Sequence, residues 1–277
     1  MNALRSILVH LDGTPRAEAR LRLAHQLANT HHAALTALFA VAPRYLTLFP
    51  LVGSIPSTPL PADIDPGHRD SAHALFDNAR HAGAPTCEWQ ELNGEPVVET
   101  FTERALLCDL MVLGQRHPTD AAGFDVPADF VESVIINSGR PALIVPHAGR
   151  VRAMPRTVLV GWKPTRESAH ALTAALPLLQ QARQVHVVCI NEDGVDPHQI
   201  LAPLGQYLRR HGIEPVRELG APATRDAGTE LLTLAADTNA DLLVMGCYGH
   251  SRARELILGG ATRTILDAMT LPILMAH

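Results

Sequence analysis

An internal repeat is the feature of this sequence that most constrains its fold. A β-branched run, a turn and a helical pattern begin at residue 6 with SILVHLDGTPRAEARLRLAHQLA and again at residue 157 with TVLVGWKPTRESAHALTAALPLL. Three more matches follow in the same order: ALTALFAV (34–41) with QVHVVCIN (184–191), CDLMVLG (108–114) with ADLLVMG (240–246), and RPALIVPH (140–147) with LPILMAH (271–277). Four matches in one order predict two tandem copies of a single domain.

The two copies differ in length. We predict domains at 1–148 and 154–277, joined by a short polar connector near 147–156. The first copy is longer because of an insertion at 43–66, which we interpret as an ordered excursion or a flexible lid. Prolines exclude any regular element in this insertion: Pro43, Pro50, Pro56, Pro59, Pro61 and Pro66.

Short apolar runs alternate with helical patterns in each copy. Continuous apolar runs are typical of strands that are buried on both faces of a parallel sheet. In the second copy the predicted strands are 157–162, 184–190, 214–219, 241–246 and 272–276. The predicted helices are 165–181, 197–211, 224–238 and 260–269. The fold class is therefore α/β, with two tandem doubly wound, Rossmann-like, five-stranded parallel sheets.

Composition and local patterns disfavour several classes of function. The net charge of −5, the pI of about 6.3 and the absence of a Lys/Arg run argue against nucleic-acid binding. No apolar run approaches the roughly 18 residues that a membrane span needs, and no signal peptide is apparent, so we expect a cytoplasmic protein. The histidines and cysteines form no zinc pattern, which predicts no metal site. Ser251 in GHSRA does not fit the Gly-x-Ser-x-Gly nucleophile pattern.

Glycines mark the segment that follows the fourth strand of the second copy, MGCYGHSRARELILGGATRTIL. In doubly wound sheets ligands bind at the carboxyl ends of the strands, and glycine lets the backbone approach an anion closely. Free N–H groups at the start of the following helix favour binding of a phosphate. Thr262 either adds a hydroxyl donor to this site or only caps the helix. The alternative is that the glycines serve tight turns alone. The predicted phosphate-binding residues are Gly246, Gly249, Gly259, Gly260, Ala261 and Thr262.

The pattern Gly-x2-Gly-x9-Gly, followed by a helix and a Pro-led last strand, resembles the universal stress protein family. The resemblance also runs through ILVHLDGT from Ile7 and VLVGWKPT from Val158, so it covers nearly the whole chain twice. It implies a stress-response protein with an adenine nucleotide alpha hydrolase-like sheet in each copy, pairing through the last strand and, in some members, bound ATP with Mg²⁺.

The same resemblance implies how the two copies assemble. We expect two stacked sheets related by a pseudo-two-fold axis, an intrachain pseudo-dimer with the last strands, 141–146 and 272–276, in contact. The oligomeric state of the whole chain stays open, with a homodimer as one form.

The second copy departs from the family pattern at two positions. Gly260 stands where the family has Ser or Thr, which removes one hydroxyl and keeps the backbone donors. Lys163 stands where the family has an acid, which the first copy keeps as Asp12. Lys163 is a candidate phosphate partner, although a solvated turn lysine is the interpretation we favour. The family's adenine-contacting backbone position falls on Ile190, and on Ala40 in the first copy.

The first copy departs further. His117 replaces the second glycine, and Ala128 and Asp129 stand where the second copy has Gly259 and Gly260. An Asp at the start of that helix would repel a polyphosphate while capping the helix. We therefore interpret the first copy as a degenerate, structural half.

These observations favour a stress-response regulatory protein that binds an adenine nucleotide, ATP, in its second copy. The alternative is a scaffold for a protein partner that has lost nucleotide binding. A slow ATPase is a third hypothesis, but no residue stands out as a base that could activate water.

Overall fold

The computed structural model describes residues 4–42, 45–46, 60–61, 66–81, 87–92, 96–116, 126–149, 151–152, 154–191, 196–222, 226–247 and 260–277. No helix in these ranges is long and apolar enough to span a membrane.

Strands and helices alternate through the first half of the chain. The strands are β1 (Ser6–Leu11), β2 (Ala34–Phe39), β3 (Tyr45–Leu46), β4 (Leu60–Pro61), β5 (Cys87–Glu91), β6 (Leu110–Gly114) and β7 (Ala142–Val145). The helices are α1 (Ala17–His31), α2 (Pro66–His81), α3 (Val97–Ala105) and α4 (Phe130–Ser138).

The second half repeats this alternation without an insertion. Its strands are β8 (Thr157–Gly161), β9 (Gln184–Asn191), β10 (Arg217–Pro222), β11 (Leu242–Gly246) and β12 (Ile273–Ala276). Its helices are α5 (Arg166–Leu179), α6 (Pro197–Arg210), α7 (Ala227–Asp237) and, named here α8, Ala261–Ala268. Every element predicted for this half is present. The largest shifts are of three residues: β10 spans 217–222 where 214–219 was predicted, and α7 begins at 227 where 224 was predicted.

The strands of each half form a parallel array, and the two arrays join edge to edge. Among the described residues the order is β10-β9-β8-β11-β12-β7-β6-β1-β2-β5, a single 10-stranded sheet. The junction is the antiparallel pairing of β12 with β7, where Leu274 lies opposite Leu143. Each half is doubly wound as predicted, and the last strands are in contact.

The prediction that the two sheets stack is wrong, because one continuous sheet runs through both halves. Helices already cover both faces of each half, so no sheet face is available for stacking. Each last strand instead has an open edge whose N–H and C=O groups need partners. The N–H and C=O groups of the two edges hydrogen-bond to each other.

Side chains of the strands feed two apolar layers, one on each face of the sheet. In β1, Ile7 and Val9 point into one layer and Leu8 into the other, as the period of two requires. Helices α1, α2, α5 and α6 complete the first layer, and α3, α4, α7 and α8 complete the second. Both layers contain buried residues from both halves, so the core is continuous across the junction.

The described part of the insertion contains a short ladder. Tyr45 pairs with Pro61 and Leu46 with Leu60 in an antiparallel two-stranded sheet that is separate from the main one. The prediction that proline excludes any regular element here is wrong for these residues. A two-residue ladder has little need of a proline N–H. Pro66, the last residue of the predicted insertion, begins helix α2, and the other predicted insertion residues lie outside the described ranges.

Truncation of a junction side chain should destabilise the whole molecule. Leu274 is fully buried in the layer that spans both halves. We expect Leu274→Ala to lower the free energy of unfolding by about 2–5 kcal/mol, because it opens a cavity beside the only strand pairing that joins the two arrays in the described sheet. Guanidinium unfolding followed by circular dichroism measures this loss. The control, Leu107→Ala, alters a side chain that is 87% exposed and should change stability by no more than about 0.5 kcal/mol; equal losses in the two variants would contradict the assignment.

Candidate functional site

The carboxyl ends of the strands in the second half bring several predicted site residues to one edge. Strand β8 pairs with β9 on one side and with β11 on the other, so the chain order reverses at β8. Ligands bind at such a switch point in doubly wound sheets. Lys163 follows β8, Gly246 ends β11, and Ile190 lies one residue before the end of β9. These three predicted residues therefore share the edge.

Helix α8 begins with an N-terminus that no described side chain caps. Gly260 is the N-cap residue, and its carbonyl accepts from the backbone N–H groups of Arg263 (2.9 Å) and Thr264 (3.3 Å). Thr262 is the second helical residue and is buried. It is therefore not the N-cap residue, which was one of the two roles considered for it. The first N–H groups of a helix have no partner within the helix, and together with the helix dipole they favour an anion.

Gly228 holds the starts of α7 and α8 together. A Cβ at this position would lie 2.6 Å from the carbonyl oxygen of Ala261 and 2.9 Å from Cβ of Thr264. Any larger residue would push α8 away from its place. Gly228 is absent from the predicted site residues, although a glycine just inside a helix start, after Asp226, is a visible signal. Asp226 caps α7 by accepting from the backbone N–H of Thr229 at 3.0 Å.

Gly246 serves the packing of helix α5 on strand β11. A Cβ at Gly246 would collide with the backbone N of Ser168 and lie 2.6 Å from the carbonyl carbon of Glu167. The close approach that requires glycine here is therefore made by the first turn of α5. Gly249 and Gly259 lie outside the described residues.

Lys163 lies in a tight turn between β8 and α5. Its carbonyl accepts from the N–H of Thr165 at 2.7 Å, and the hydroxyl of Thr165 in turn caps α5 by accepting from Ser168 N at 3.3 Å. The residue is half-buried and makes a contact within the chain. It is thus at the predicted edge, but it is less solvated than the favoured interpretation supposed.

A buried carboxylate that is paired with an arginine lies near this turn. Glu167 is 4% exposed and accepts from Nε of Arg166 at 2.5 Å. Burial raises the pKa of Glu167, but the hydrogen bonds from Arg166, its own backbone and Thr165 lower it more, so the pKa lies below its ordinary value. Glu167 is therefore ionised at neutral pH.

The equivalent edge of the first half is filled by its own side chains. Asp12, which follows β1, is 6% exposed and lies 2.5 Å from Nη2 of Arg20. It also accepts from the N–H (3.0 Å) and the hydroxyl (2.6 Å) of Thr14. Burial raises the pKa of Asp12, but Arg20, with help from His10 and Thr14, lowers it below the ordinary value. Arg20 also occupies the space beside Gly114, where a Cβ would collide with its guanidinium.

Two histidines also occupy the carboxyl edge of the first half. His10 Nε2 donates to the carbonyl of Ala40 at 2.8 Å, so the backbone position matched to Ile190 is already engaged in the first half. The imidazole of His68 packs on Gly13, where a Cβ would collide with it. The positions that the resemblance assigns to a nucleoside therefore have internal partners in the first half.

Asp129 stands at the N-cap of α4 as expected, but its side chain does not cap the helix. No hydrogen bond joins its carboxylate to the helix backbone, and Oδ2 accepts instead from the hydroxyl of Ser133 at 2.8 Å. The capping prediction is therefore wrong, because a serine four residues on competes for the carboxylate. The carboxylate still lies at the helix start.

Neither metal binding nor thiol chemistry is supported in the described part of the chain. No group of three or more His, Cys, Asp or Glu side chains there could hold a metal ion. All four cysteines are free thiols. Burial raises the pKa of Cys87 and of Cys108 to about 12, which disfavours the reactive thiolate.

Comparison with known proteins gives a consistent family signal. Residues 154–277 match the model of the universal stress protein family. A universal stress protein of Synechocystis sp. is 26% identical over 174 residues, which are 60% of this chain and 57% of that relative's length. The chain thus spans little more than half of the relative.

Solved structures confirm the fold over the whole chain. A universal stress protein from Archaeoglobus fulgidus superposes with a TM-score of 0.71 at 17% identity, covering 98% of this chain and 95% of that one. A protein of unknown function from Pseudomonas aeruginosa superposes with a TM-score of 0.61 at 14% identity, covering 99% of this chain and 92% of that one. At these identities the likeness concerns architecture.

The buried polar cluster of the first half should make stability sensitive to acid. Burial lowers the pKa of His10 from 6.5 to about 4. Between these pH values the unfolded chain binds a proton that the folded chain does not, so stability falls as the pH drops from about 6.5 to about 4. The His10 contribution to this fall should be about 3 kcal/mol at pH 4. Denaturant unfolding between pH 7 and pH 4.5 measures the slope.

His10→Gln keeps a donor for Ala40 and removes the titrating ring, so its stability should depend less on pH than that of the wild type. The matched control is His198→Gln, which alters an exposed histidine on α6 and should leave the slope unchanged. An identical pH dependence in wild type and His10→Gln would show that the ring does not contribute.

Proposed function

Since residues 154–277 match the model of the universal stress protein family, we propose that the chain is a stress-response regulatory protein that binds ATP in its second half. The observation that carries this proposal is the start of α8, which begins at Gly260 without a described side-chain cap, in the half whose glycine motif is retained. A polyphosphate would accept hydrogen bonds from the first N–H groups of this helix.

The packing around α8 supports the same proposal. Gly228 allows two helix starts, those of α7 and α8, to lie side by side. Because Asp226 caps only α7, the partial positive charge at the start of α8 has no described carboxylate bonded to it. The adenosine portion would then reach the ends of β8 and β9, where Ile190 offers backbone groups.

The contrast between the halves predicts one nucleotide per chain. In the first half Arg20, Thr14 and His10 engage the groups that would meet a nucleoside, and Asp129 places a carboxylate at the start of α4. These groups would have to lose buried partners to admit a ligand, and an unpaired buried charge is costly.

Mg²⁺ would accompany ATP through the phosphates. The described residues offer no cluster of three or more metal-ligating side chains, and Mg²⁺ commonly combines one or two protein ligands with phosphate oxygens and water. We propose no strong catalysis, because Lys163 stands where an acid would be needed and cannot serve as a carboxylate base.

A protein-interaction scaffold without nucleotide is the second candidate. Gly260 in place of Ser or Thr, and Lys163 in place of Asp, each remove a polar group that the family pattern supplies. The two candidates differ in a single measurable property, which is nucleotide affinity.

The experiment combines nucleotide extraction from the purified protein with calorimetry of ATP binding to two matched variants. Gly259→Asp should abolish binding, because it places a carboxylate where backbone must approach the phosphates. Asp129→Gly is the reciprocal change in the first half and should leave both affinity and stoichiometry unchanged. Absence of binding to the wild type would favour the scaffold, and equal losses in the two variants would contradict the assignment to the second half.

Lys163 offers a selective test of the same site, because it is the only lysine of the sequence. Its carbonyl closes a turn and the residue already makes a contact within the chain, so we expect no pairing with phosphate. Lys163→Ala should therefore change the free energy of ATP binding by no more than about 0.5 kcal/mol. Calorimetry with ATP and with AMP measures the change.

Labelling with an amine-reactive reagent provides an independent readout, since no other side-chain amine exists in the chain. ATP should protect Lys163 no better than AMP does. A loss of about 1–3 kcal/mol for ATP that is absent for AMP would show a charge-assisted bond to phosphate. In that case Lys163→Arg should retain part of the affinity.

A further inference from the structure

The last turn of α8, in the second half, is held by a side chain of the first half. Gln115 follows β6 directly and is 8% exposed. Its Nε2 donates to the carbonyl oxygens of Leu266 at 2.8 Å and of Asp267 at 3.3 Å. The carbonyls at the end of a helix have no partner within the helix, and these two bonds supply partners for two of them.

The amide of Gln115 is itself fixed from its own half. Its Oε1 accepts from the backbone N–H of His147 at 2.8 Å and from Nδ1 of the same residue at 2.6 Å. His147 lies just beyond β7, the strand that forms the junction. A buried amide with two donor and two acceptor contacts has one orientation, and it cannot rotate without losing several bonds.

A second contact lies just beyond the same end of α8, at Thr270. Gly149, in the connector after β7, has a φ of +104°, and a Cβ there would collide with the carbonyl oxygen of Thr270. The connector therefore presses closely on the residues that follow α8. The position matched to Gln115 in the second half is Cys247, whose side chain has no amide. Gln115 of the first half therefore bonds a helix of the second half, and Cys247 cannot make the reciprocal amide contact.

We propose that Gln115 is a positioning residue for the nucleotide site: it fixes α8 at its end and thereby sets where the N–H groups at its start lie. An eight-residue helix is about 12 Å long and moves as a rigid unit, so a shift at its last turn is transmitted to its first. The ligand part of this inference rests on the proposed function. The inference assigns the first half a role, which is to position the proposed phosphate-binding helix of the second half.

The first arm of the test needs no nucleotide. Amide hydrogen exchange of the free, full-length protein should show faster exchange in the last turn of α8 and in the residues after it when Gln115→Met replaces the amide by an apolar side chain of similar size. Gln115→Glu should have a larger effect, because a carboxylate faces the negative end of the helix. The control is Gln199→Ala, which alters an exposed glutamine on α6.

The second arm compares ATP with adenosine by calorimetry. Gln115→Met should weaken ATP binding about fivefold or more and leave adenosine binding unchanged, because only the phosphates meet α8. General destabilisation would weaken both ligands alike. Gly149→Ala, which perturbs the same end of α8 from the connector, should reproduce the selective loss.

The two arms separate failure of this inference from failure of the proposed function. Unchanged exchange at the end of α8 in both Gln115 variants would overturn the positioning role, whether or not ATP binds. Accelerated exchange with equal losses for ATP and adenosine would also overturn it, since α8 would then not be the phosphate-bearing element. A wild type that binds no ATP would refute the proposed function, and the exchange arm would still decide whether Gln115 holds α8.

Discussion

The antiparallel pairing of β7 with β12 is the interaction on which the rest of the structure depends. A doubly wound sheet has helices on both faces and can grow only through its edges. Each half ends in a short, wholly buried strand, so an unpaired edge there would leave backbone groups without partners. Pairing the two edges satisfies those groups and merges both apolar layers, with Leu143 opposite Leu274 at the centre. It also brings Gln115 against the end of α8.

The two halves use one fold in different ways at the carboxyl edge. In the first half Arg20 fills the space beside Gly114 and binds Asp12, so the edge is completed by a buried ion pair. In the second half the backbone of α5 lies against Gly246, and alanine, Ala171, stands at the repeat position of Arg20. A buried ion pair keeps its partners because removing either leaves an uncompensated charge. The equivalent glycines thus differ in use: the space beside Gly114 admits the Arg20 side chain, whereas the space beside Gly246 admits the backbone of α5.

The proposed site owes its form to helix placement more than to reactive side chains. Backbone N–H groups and a helix dipole bind an anion only where the helix start is held at the right place. Gly228 holds the start of α8 against α7, while Gln115 bonds its last turn from the first half and Gly149 packs against Thr270, just after the helix. In its described part this arrangement supplies oriented backbone donors. Through Gln115 it also joins α8 to the first half, close to the junction between the halves.

The sequence alone determined the repeat, the doubly wound α/β class, the order of the elements in the second half and the contact of the last strands. The first three follow from local periodicity, which a strand or helix carries within its own residues, whereas the contact of the last strands follows from the family resemblance. Tertiary structure alone decided that the sheets join edge to edge, that Asp12 meets Arg20, and that Gln115 reaches α8. These contacts join residues from separate elements, and the last of them joins the two halves. No local pattern encodes which edges pair or which side chains then meet, because that is settled by the competition among open edges, buried charges and unsatisfied backbone groups once the chain is compact.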